Sequence, residues 1–326
     1  MHILAGDIGG TNTRLAWFDT ETHGLQPRLE RTYPSPDHDS IEAILEKFLA
    51  LPKIPEIELA CLGVAGPVID QVCETTNLPW RLDAAAIKQQ FRFRNTWLLN
   101  DLEANAWGLE TLEAKDLHTL HEGRKQTGSR SIVSAGTGLG QAGIYWDGKS
   151  YTPFSSEGGH ADFSPTNPQE YALFEYLSAR YGHVSWERLV SGPGIENIYE
   201  FLLLQHGLTT PDALQQRMQE IGRAPAISEA ALKDDNRLCS QTLGVFVGLY
   251  ARETANHALK IMSRGGVFLG GGIAPKILRL FEKHDFVAQF QAKGRMSPLL
   301  ASMPLRVVLN DKTALLGAAY YAAHHV

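Results

Sequence analysis

Two short segments of this 326-residue chain share one plan, in which an apolar strand, a glycine-rich turn and a second apolar strand follow one another. The first, HILAGDIGGTNTRLAWFD, begins at His2 and turns at Gly9-Gly10. The second, SIVSAGTGLGQAGIYWDG, begins at Ser131 and turns between Gly136 and Gly140. Glycines between two apolar runs are typical of a β-hairpin. The repeat indicates two related halves, each of which opens with a glycine-turned hairpin.

The rest of the chain alternates between strand and helix patterns. The spacing of apolar residues predicts helices over 40–49, 83–91, 102–112, 170–181, 195–206, 212–221, 238–262 and 313–324. It predicts further strands over 57–64, 96–99 and 305–309, and one before the glycines at 270–272. This alternation favours an α/β fold with mixed sheets. A chain of 326 residues exceeds the usual size of one core, so we expect two domains.

Composition and charge exclude several classes of protein. The formal net charge is −6 and no dense Lys/Arg run is present, which argues against a nucleic-acid partner. Cys61, Cys73 and Cys239 lack the spacing of a disulfide framework or a zinc site. No apolar run approaches the length of a membrane span, and the chain opens on a strand pattern rather than a leader. We therefore expect a cytoplasmic protein without a membrane partner.

The first glycine turn, Gly6-Asp7-Ile8-Gly9-Gly10-Thr11, has two interpretations. As a plain hairpin turn, it needs nothing beyond two glycines between strands. As a phosphate site, its glycines let an anion approach backbone N–H groups, while Thr11 and Thr13 add hydroxyl donors. Asp7 would repel a phosphate by itself, but it suits an Mg²⁺ ion that is held indirectly, through water. The segment is not a Walker A loop, because no Gly-Lys-Ser/Thr follows it.

Two later glycine turns are candidates for nucleotide contacts. The turn Gly136-Thr137-Gly138 starts a G-x-G-x-x-G match at residue 138, but a strand rather than a helix follows, which excludes the dinucleotide-binding motif. It remains either a plain turn or a second phosphate-binding hairpin. The turn Gly270-Gly271-Gly272 precedes Ile273-Ala274-Pro275. It is either a tight connection into a helix or a flat backbone surface for a base and ribose.

Asn100-Asp101 closes a predicted strand, at the strand end where ligands of α/β sheets gather. At an arbitrary site this pair would serve as the cap of the following helix. At a ligand site the aspartate is a candidate base for a hydroxyl proton, and the asparagine beside it is a directional hydrogen-bonding group.

Further polar side chains occur in two glycine-containing loops. Glu157 and His160 belong to the EGGH segment, and Glu187 belongs to SWERLVSGPG. Each is either ordinary surface polarity or part of a ligand site. A metal site of His160 with Asp162 lacks enough neighbouring ligands. Two carboxylates and an imidazole suit a polyol better, because sugar hydroxyls donate to carboxylates and hydrogen-bond with histidine.

The motifs GDIGGTN, LND, AGTGLG, EGGH, ERLVSGPG and GGGIAP, in this order, resemble those of the bacterial glucokinase family, within the hexokinase/actin-like ATPase superfamily. The resemblance extends to the C-terminal LLGAAYY segment, and the missing Cys/His motif makes it similar to the non-zinc group. It implies a two-domain actin-like ATPase (ribonuclease H-like) α/β fold with mixed sheets and a cleft between the domains. The small α/β domain would comprise 1–110 and 302–326, and the large one 111–301.

The resemblance also implies an activity: phosphoryl transfer from ATP to the 6-hydroxyl of D-glucose, with Mg²⁺, at the entry to glycolysis. A homodimer is implied as well. Asp101 would be the catalytic base, and Asp7 would hold Mg²⁺ indirectly. The implied sugar ligands are Asn100, Asp101, Glu157, His160 and Glu187. The implied ATP contacts are Gly6, Asp7, Ile8, Gly9, Gly10, Thr11, Gly136, Thr137, Gly138, Gly271 and Gly272.

Two other functions stay open at this point. One is a kinase for another hexose, such as fructose, mannose or an amino sugar, which the sequence separates poorly from glucose. The other is a non-catalytic regulator of the same fold that binds ATP or sugar. The combination of Asn100-Asp101 with EGGH argues against a regulator, because a sensor has no need of a base.

Overall fold

The structure, a computed structural model, describes residues 1–22, 24–75 and 78–325. Its packing divides the chain into two compact units. The first unit comprises Met1–Asp116, Thr152–Ser155 and the C-terminal segment from Asn310. The second comprises Leu117–Tyr151 and Ser156–Leu309. The C-terminal helix therefore packs with the N-terminal part of the chain, although nearly two hundred residues separate Asp116 from Asn310.

The first unit contains a five-stranded mixed sheet and a small antiparallel sheet. Its strands are β1 (His2–Ile8), β2 (Asn12–Asp19), β3 (Pro27–Pro34), β4 (Leu59–Val64), β5 (Val68–Ile69), β6 (Val72–Glu74), β7 (Arg81–Asp83) and β8 (Asn95–Asn100). The order across the large sheet is β3-β2-β1-β4-β8. In it β1 pairs antiparallel with β2 and parallel with β4, so the predicted first hairpin is present.

A six-stranded sheet of order β12-β11-β10-β13-β14-β9 has five strands in the second unit, and of its edge strand β12 only the two end residues belong to that unit. Its strands are β9 (Leu117–His121), β10 (Arg130–Ala135), β11 (Leu139–Trp146), β12 (Tyr151–Ser156), β13 (Gly266–Gly270) and β14 (Leu305–Val308). The antiparallel pair β10 and β11 is the predicted second hairpin, and β13 lies parallel to β10 on its other side. Both units thus place a hairpin next to a parallel strand, which is the internal repeat that the sequence indicated.

Helices cover the faces of both sheets. In chain order they are α1 (Ile41–Leu49), α2 (Ala84–Phe91), α3 (Asp101–Gly108), α4 (Pro168–Tyr181), α5 (Gly192–His206), α6 (Asp212–Ile221), α7 (Arg223–Lys233), α8 (Arg237–Ile261), α9 (Leu278–Lys283), α10 (Phe286–Gln291), α11 (Ser297–Ala301) and α12 (Thr313–His324). Helix α3 is shorter than the predicted 102–112, because its last turn tightens to a 3-10 turn over Leu109–Thr111. None of the helices in the described ranges is long and apolar enough to cross a membrane.

The side chains of β1 alternate between two cores, as the period of a strand requires. Ile3 and Ala5 are fully buried in the core that includes α12, whereas Leu4 and Ile8 are buried in the core that includes α1. Asp7 follows the same alternation, so it lies on the α12 side, near the turn that precedes this helix. The strand that begins the chain therefore positions the first candidate residue.

Helices α3 and α12 cross with almost no space between their backbones. A Cβ atom at Gly317 would lie 1.8 Å from the Ala104 carbonyl oxygen, and one at Gly108 would lie 2.0 Å from the Thr313 carbonyl oxygen. Real Cβ atoms do not approach backbone so closely, so the two glycines permit the crossing. Because α3 begins at Asp101, this contact also fixes the helix that carries the candidate base.

We expect Gly317→Ala to lower the free energy of unfolding by about 2–3 kcal/mol, because the backbone of α3 must move to accept the methyl group. Gly248→Ala on α8 is the matched control, since its added Cβ meets only the end of the Gln289 side chain, at 2.5 Å. That side chain can rotate, and alanine favours helix, so the control should stay within about 1 kcal/mol of wild type. Urea unfolding of both variants measures the difference, and equal losses would contradict the close-crossing argument.

Candidate active site

The turn between β1 and β2 is held by backbone and serine hydrogen bonds. Gly9 donates through its N–H to the Asn12 carbonyl at 2.9 Å, and the Ser35 hydroxyl donates to the Gly9 carbonyl at 2.8 Å. Thr13 is fully buried, with its hydroxyl 2.9 Å from that of Ser35. The expectation that Thr13 offers a donor to a ligand is therefore wrong, because its hydroxyl is used inside the protein. Thr11 lies exposed at the tip of the same turn.

Asp7 lies partly buried at the end of β1, opposite Arg14 of β2. Burial raises the pKa of Asp7, the Arg14 guanidinium opposes this rise, and the Asp311 carboxylate adds to it. Arg14 donates to the Asp311 carboxylate and carbonyl, both at 3.1 Å. Asp311 was not found from the sequence, because only the return of the C-terminal segment brings it to this strand.

The donor set around Asp7 suits a magnesium ion shared with phosphate. No group of three or more His, Cys, Asp or Glu side chains within residues 1–22, 24–75 and 78–325 has the arrangement of a metal cage. Mg²⁺ does not require one, because it commonly binds one or two carboxylates together with waters and phosphate oxygens. A partly buried carboxylate at a glycine turn fits that mode of binding. The fit supports an indirect role for Asp7.

Asn100 and Asp101 lie where β8 ends and α3 begins. The Asn100 side chain caps the helix, since its Oδ1 accepts from the Leu102 N–H at 2.9 Å, and its Nδ2 donates to the Gly66 carbonyl at 2.9 Å. Asp101 is the first residue of α3 and is partly buried. The cap and the candidate base are thus compatible, because the cap uses Asn100 and sets the direction in which the helix presents Asp101.

The second unit brings together the three polar residues that the sequence predicted from two loops. His160 Nε2 lies 3.8 Å from Glu157 Oε2, and His160 Nδ1 lies 4.0 Å from Glu187 Oε1. The side chains of Glu157 and His160 are 70% and 59% exposed, and that of Glu187 is 30% exposed, so all three are open to a ligand. Asp162 pairs with His183 at 2.8 Å instead of joining them.

Glu187 is seated by the turn that precedes β11. Its Oε2 accepts from the Leu139 N–H at 2.9 Å, and the Ser191 hydroxyl donates to its carbonyl at 2.7 Å. A Cβ atom at Gly138 would lie 2.5 Å from the same Oε2. Gly138 does not have a positive φ, so a side chain here would strain no left-handed backbone and would instead push the end of the Glu187 side chain aside. A larger residue at position 138 would therefore displace Glu187, a candidate sugar-binding residue.

The two later glycine turns of the second unit adjoin each other. Strands β10 and β13 are parallel neighbours, so their carboxyl ends lie at one edge of the sheet. Gly271 has φ +79°, and a Cβ atom there would lie 2.3 Å from the carbonyl oxygen of Ala135, the last residue of β10. Nothing lies within 4 Å of a Cβ position at Gly136 or Gly272, so both face open space.

The N-terminus of α5 meets the same edge. The Gly192 N–H, in the first turn of α5, donates to the Gly136 carbonyl at 2.8 Å, and Ser191 caps the helix by accepting from the Gly194 N–H at 3.0 Å. A helix N-terminus carries partial positive charge and favours an anion. This element was missed as a phosphate candidate, although Ser191 followed by Gly-Pro-Gly is a helix-start signal in the sequence.

Comparison with known proteins identifies the class and then the family. A crystal structure of glucokinase from an Antarctic psychrotroph has the same fold, with a TM-score of 0.84 and 30% identity, and covers 99% of this chain and 98% of its own. A ROK family glucokinase from Streptomyces griseus, solved with glucose and AMPPNP, has a TM-score of 0.66 at 19% identity and shares the fold. The architecture is that of the actin-like ATPase sugar kinases, which confirms the predicted fold class.

The family follows from the sequence of the whole chain. The glucokinase family model matches residues 4–325. A glucokinase of Nostoc punctiforme is 39% identical over 98% of each chain, and one of Synechocystis sp. is 39% identical over 99% of this chain. The chain therefore belongs to the glucokinase family, which confirms the resemblance that the motifs indicated.

The raised pKa of Asp7 predicts that this carboxylate lowers stability at neutral pH. Because the folded state holds the proton more tightly than the unfolded chain, the free energy of unfolding falls as pH rises through the folded-state pKa. Asp7→Asn, in buffer without divalent cations, should therefore be more stable than wild type at pH 7. The advantage should shrink as pH falls through that pKa, which urea unfolding of both proteins at several pH values measures.

Asp147→Asn is the control of opposite sign. The backbone N–H groups of Ser150 and Lys149 lower the pKa of Asp147, so its carboxylate contributes stability above its unfolded-state pKa and loses it as pH falls. This variant should be less stable than wild type at pH 7. If Asp7→Asn shows the same sign as Asp147→Asn, burial does not dominate at Asp7.

Proposed function

We propose that this protein transfers the terminal phosphoryl group of ATP to the 6-hydroxyl of D-glucose. The observation that carries the proposal is the cluster of Glu157, His160 and Glu187, in which the imidazole lies within 4.0 Å of both carboxylates. Membership of the glucokinase family, and curated relatives that are named glucokinases over the whole chain, support this substrate.

The cluster offers a sugar a set of directional partners. Each carboxylate can accept hydrogen bonds from two neighbouring hydroxyls, and His160 supplies one donor and one acceptor when its ring is neutral. Leu139 holds one oxygen of Glu187, so the free lone pairs of that carboxylate have a fixed direction. A substrate that lacks or inverts one hydroxyl leaves a desolvated acceptor unpaired.

Asp101 is proposed as the base for the 6-hydroxyl proton. The transition state of phosphoryl transfer is loose, so positioning of the nucleophile and neutralisation of charge do most of the work. Asn100 fixes the backbone from which Asp101 extends, through its bonds to Leu102 and Gly66. Asp101 then orients the hydroxyl and accepts its proton as the bond to phosphorus forms.

Three glycine turns are proposed to contact ATP. The backbone N–H groups of Gly6 to Thr11 and of Gly136 to Gly138 would hold phosphate oxygens, and Gly271-Gly272 would lie against the adenosine. The open space at Gly136 and Gly272 supports this, since no protein atom lies within 4 Å of a Cβ position at either glycine. Mg²⁺, when bound, neutralises phosphate charge, and Asp7 would orient its water ligands.

The domain boundaries, the cellular location and the oligomeric state are proposed from the resemblance to the glucokinase family. The first and second units would correspond to the small and large domains, with boundaries near 1–110 plus 302–326 and 111–301. The relatives' shared chemistry, which consumes ATP and a free sugar, supports a cytoplasmic location. A homodimer is proposed on the resemblance alone, and sedimentation of the purified chain tests it.

Asp101→Asn should reduce kcat by roughly 10²-fold or more, while glucose still binds, because the amide keeps the shape but accepts no proton. Steady-state kinetics and glucose titration measure both effects. Glu42→Gln is the control, since Glu42 is also an acidic residue in the first turn of a helix of the first unit. It removes a favourable helix-dipole charge without touching the site, so its kcat should match wild type. A near-normal kcat in Asp101→Asn would reject the assignment of Asp101 as the catalytic base.

A coupled assay of ADP release with a panel of sugars tests the substrate. Glucose should give the highest kcat/KM, while mannose, inverted at C2, and galactose, inverted at C4, should each fall by roughly tenfold or more, because an acceptor that the bound sugar shields from water is left unpaired. Glu157→Gln should raise the KM for glucose more than that for ATP. If fructose or an N-acetylated sugar gives a clearly higher kcat/KM than glucose, glucose is rejected as the preferred substrate. The protein would still be a sugar kinase. No ADP release with any sugar would favour the regulator.

A further inference from the structure

A chain of hydrogen bonds between buried or half-buried side chains runs beneath the loop 157–160. Gln141 of β11 donates through Nε2 to Glu253 Oε1 of α8 at 2.7 Å. Asn256, three residues further along α8, donates through Nδ2 to the other oxygen of Glu253 at 2.9 Å. Lys293 donates through Nζ to Asn256 Oδ1 at 2.6 Å. Glu253 is fully buried and Gln141 is 1% exposed, so this network lies inside the second unit.

The network has one consistent direction when Glu253 is ionised. Lysine only donates, so Asn256 must turn its oxygen towards Lys293 and its amide N–H towards Glu253. An ionised carboxylate only accepts, so Gln141 must also present its N–H to Glu253. Glu253 is therefore the point at which two donors meet. Glutamine, the uncharged side chain of the same shape, cannot accept from both neighbours, because its amide has one accepting end and one donating end.

The orientation of the Gln141 amide decides which atom faces the loop. With its nitrogen on Glu253, Gln141 directs Oε1 to Gly158, where a Cβ atom would lie only 2.2 Å from this oxygen. The adjacent Gly159 rests on the same strand, since a Cβ there would lie 1.9 Å from the Leu139 carbonyl oxygen. The loop thus sits directly on two points of β11, a backbone carbonyl and the Gln141 amide.

We propose that Glu253 is a positioning residue for sugar binding, which fixes the orientation of the Gln141 amide and thereby the seat of the loop that carries Glu157 and His160. Glu253 does not touch the sugar in this proposal and acts through Gln141. The inference rests on the proposed function for its substrate, but the contacts that carry it lie wholly within the second unit.

The burial of Glu253 is hard to explain by stability alone. Burial raises the pKa of Glu253, and the hydrogen bonds from Gln141 and Asn256 oppose that rise. Burial likewise lowers the pKa of Lys293. A buried ionic group is weak evidence for stability, since apolar residues of similar volume often serve as well or better. The Glu253 carboxylate accepts from two donors beneath the loop 157–160 and so gives the Gln141 amide a defined orientation. Apolar packing cannot do this.

Glu253→Gln tests the proposal with almost no change of volume. The amide introduced at position 253 can accept from only one neighbour, so either Asn256 must turn away from Lys293 or Gln141 must reverse and present its N–H groups to Gly158. We expect reversal of Gln141, because the charge of Lys293 holds Asn256 in place. The KM for glucose should rise roughly tenfold as the loop shifts, while the KM for ATP stays within about twofold.

The double variant Gln141→Glu with Glu253→Gln should restore the wild-type KM for glucose. In this exchange the amide introduced at position 253 donates to the carboxylate introduced at position 141 and accepts from Asn256. Every hydrogen bond is then satisfied again, and an oxygen again faces Gly158. A role in stability alone predicts no such rescue of substrate binding. Proton NMR signals of the His160 ring, recorded without sugar, should shift in Glu253→Gln and return in the double variant.

Ser263→Ala is the matched control for a lost buried hydrogen bond. It removes the bond from the Ser263 hydroxyl to Ser131, at 2.8 Å, where β10 begins and thus at the opposite end of the strand from the glycine turn. We expect a lower thermal midpoint but an unchanged KM for glucose and unchanged His160 signals.

The outcomes separate the two proposals. If wild type phosphorylates glucose, and Glu253→Gln keeps both its KM and its His160 signals, the positioning role is rejected and the proposed function stands. Failure of the double variant to restore either measurement also rejects it. If wild type does not phosphorylate glucose, the proposed substrate is rejected. The His160 signals then decide whether Glu253 orients the loop.

Discussion

The close approach of backbone to backbone at glycine is the constraint on which much of this molecule depends. A Cβ atom at Gly159 would lie 1.9 Å from the Leu139 carbonyl oxygen, one at Gly271 would lie 2.3 Å from that of Ala135, and one at Gly317 would lie 1.8 Å from that of Ala104. No other residue fits at these distances. The first two contacts seat candidate ligand loops on their sheet, and the third fixes the helix that begins with Asp101, so glycine here serves packing as much as phosphate access.

Each unit contains a carboxyl group whose pKa is raised by burial. Burial raises the pKa of Asp7 beside the first glycine turn and of Glu253 beneath the loop 157–160. Each lies where an apolar residue would be easier to bury, and burial of the charge is opposed by the Arg14 guanidinium at Asp7 and by two amide donors at Glu253. Groups with perturbed pKa values gather at functional sites because chemistry there requires a charge in a fixed place. The stability given up at such positions is the usual cost of a working site.

Much of the fold and the candidate site was predictable because its signals are local. The two hairpins follow from glycines between apolar runs, and α6 and α12 occur at the predicted residues. The cluster of Glu157, His160 and Glu187 was predicted from loop motifs, and the structure places all three together. The short strands β5 to β7 were missed, since segments of two or three residues carry too little periodicity for a sequence pattern to specify them. Helix α7 was missed because three of its four buried residues are alanines, which give only a weak apolar pattern.

The sequence by itself determined the α/β class, the repeated hairpins and the family, because strand and helix periods and glycine turns are read within a few residues. Only the tertiary structure decided that Thr13 is used by Ser35, that Gly138 makes room for Glu187, and that Asp311 lies near Asp7. Gln141 and Glu253 are 112 residues apart, and no local pattern connects them. Such pairs depend on how sheets and helices pack, because the packing decides which donor reaches a given buried acceptor.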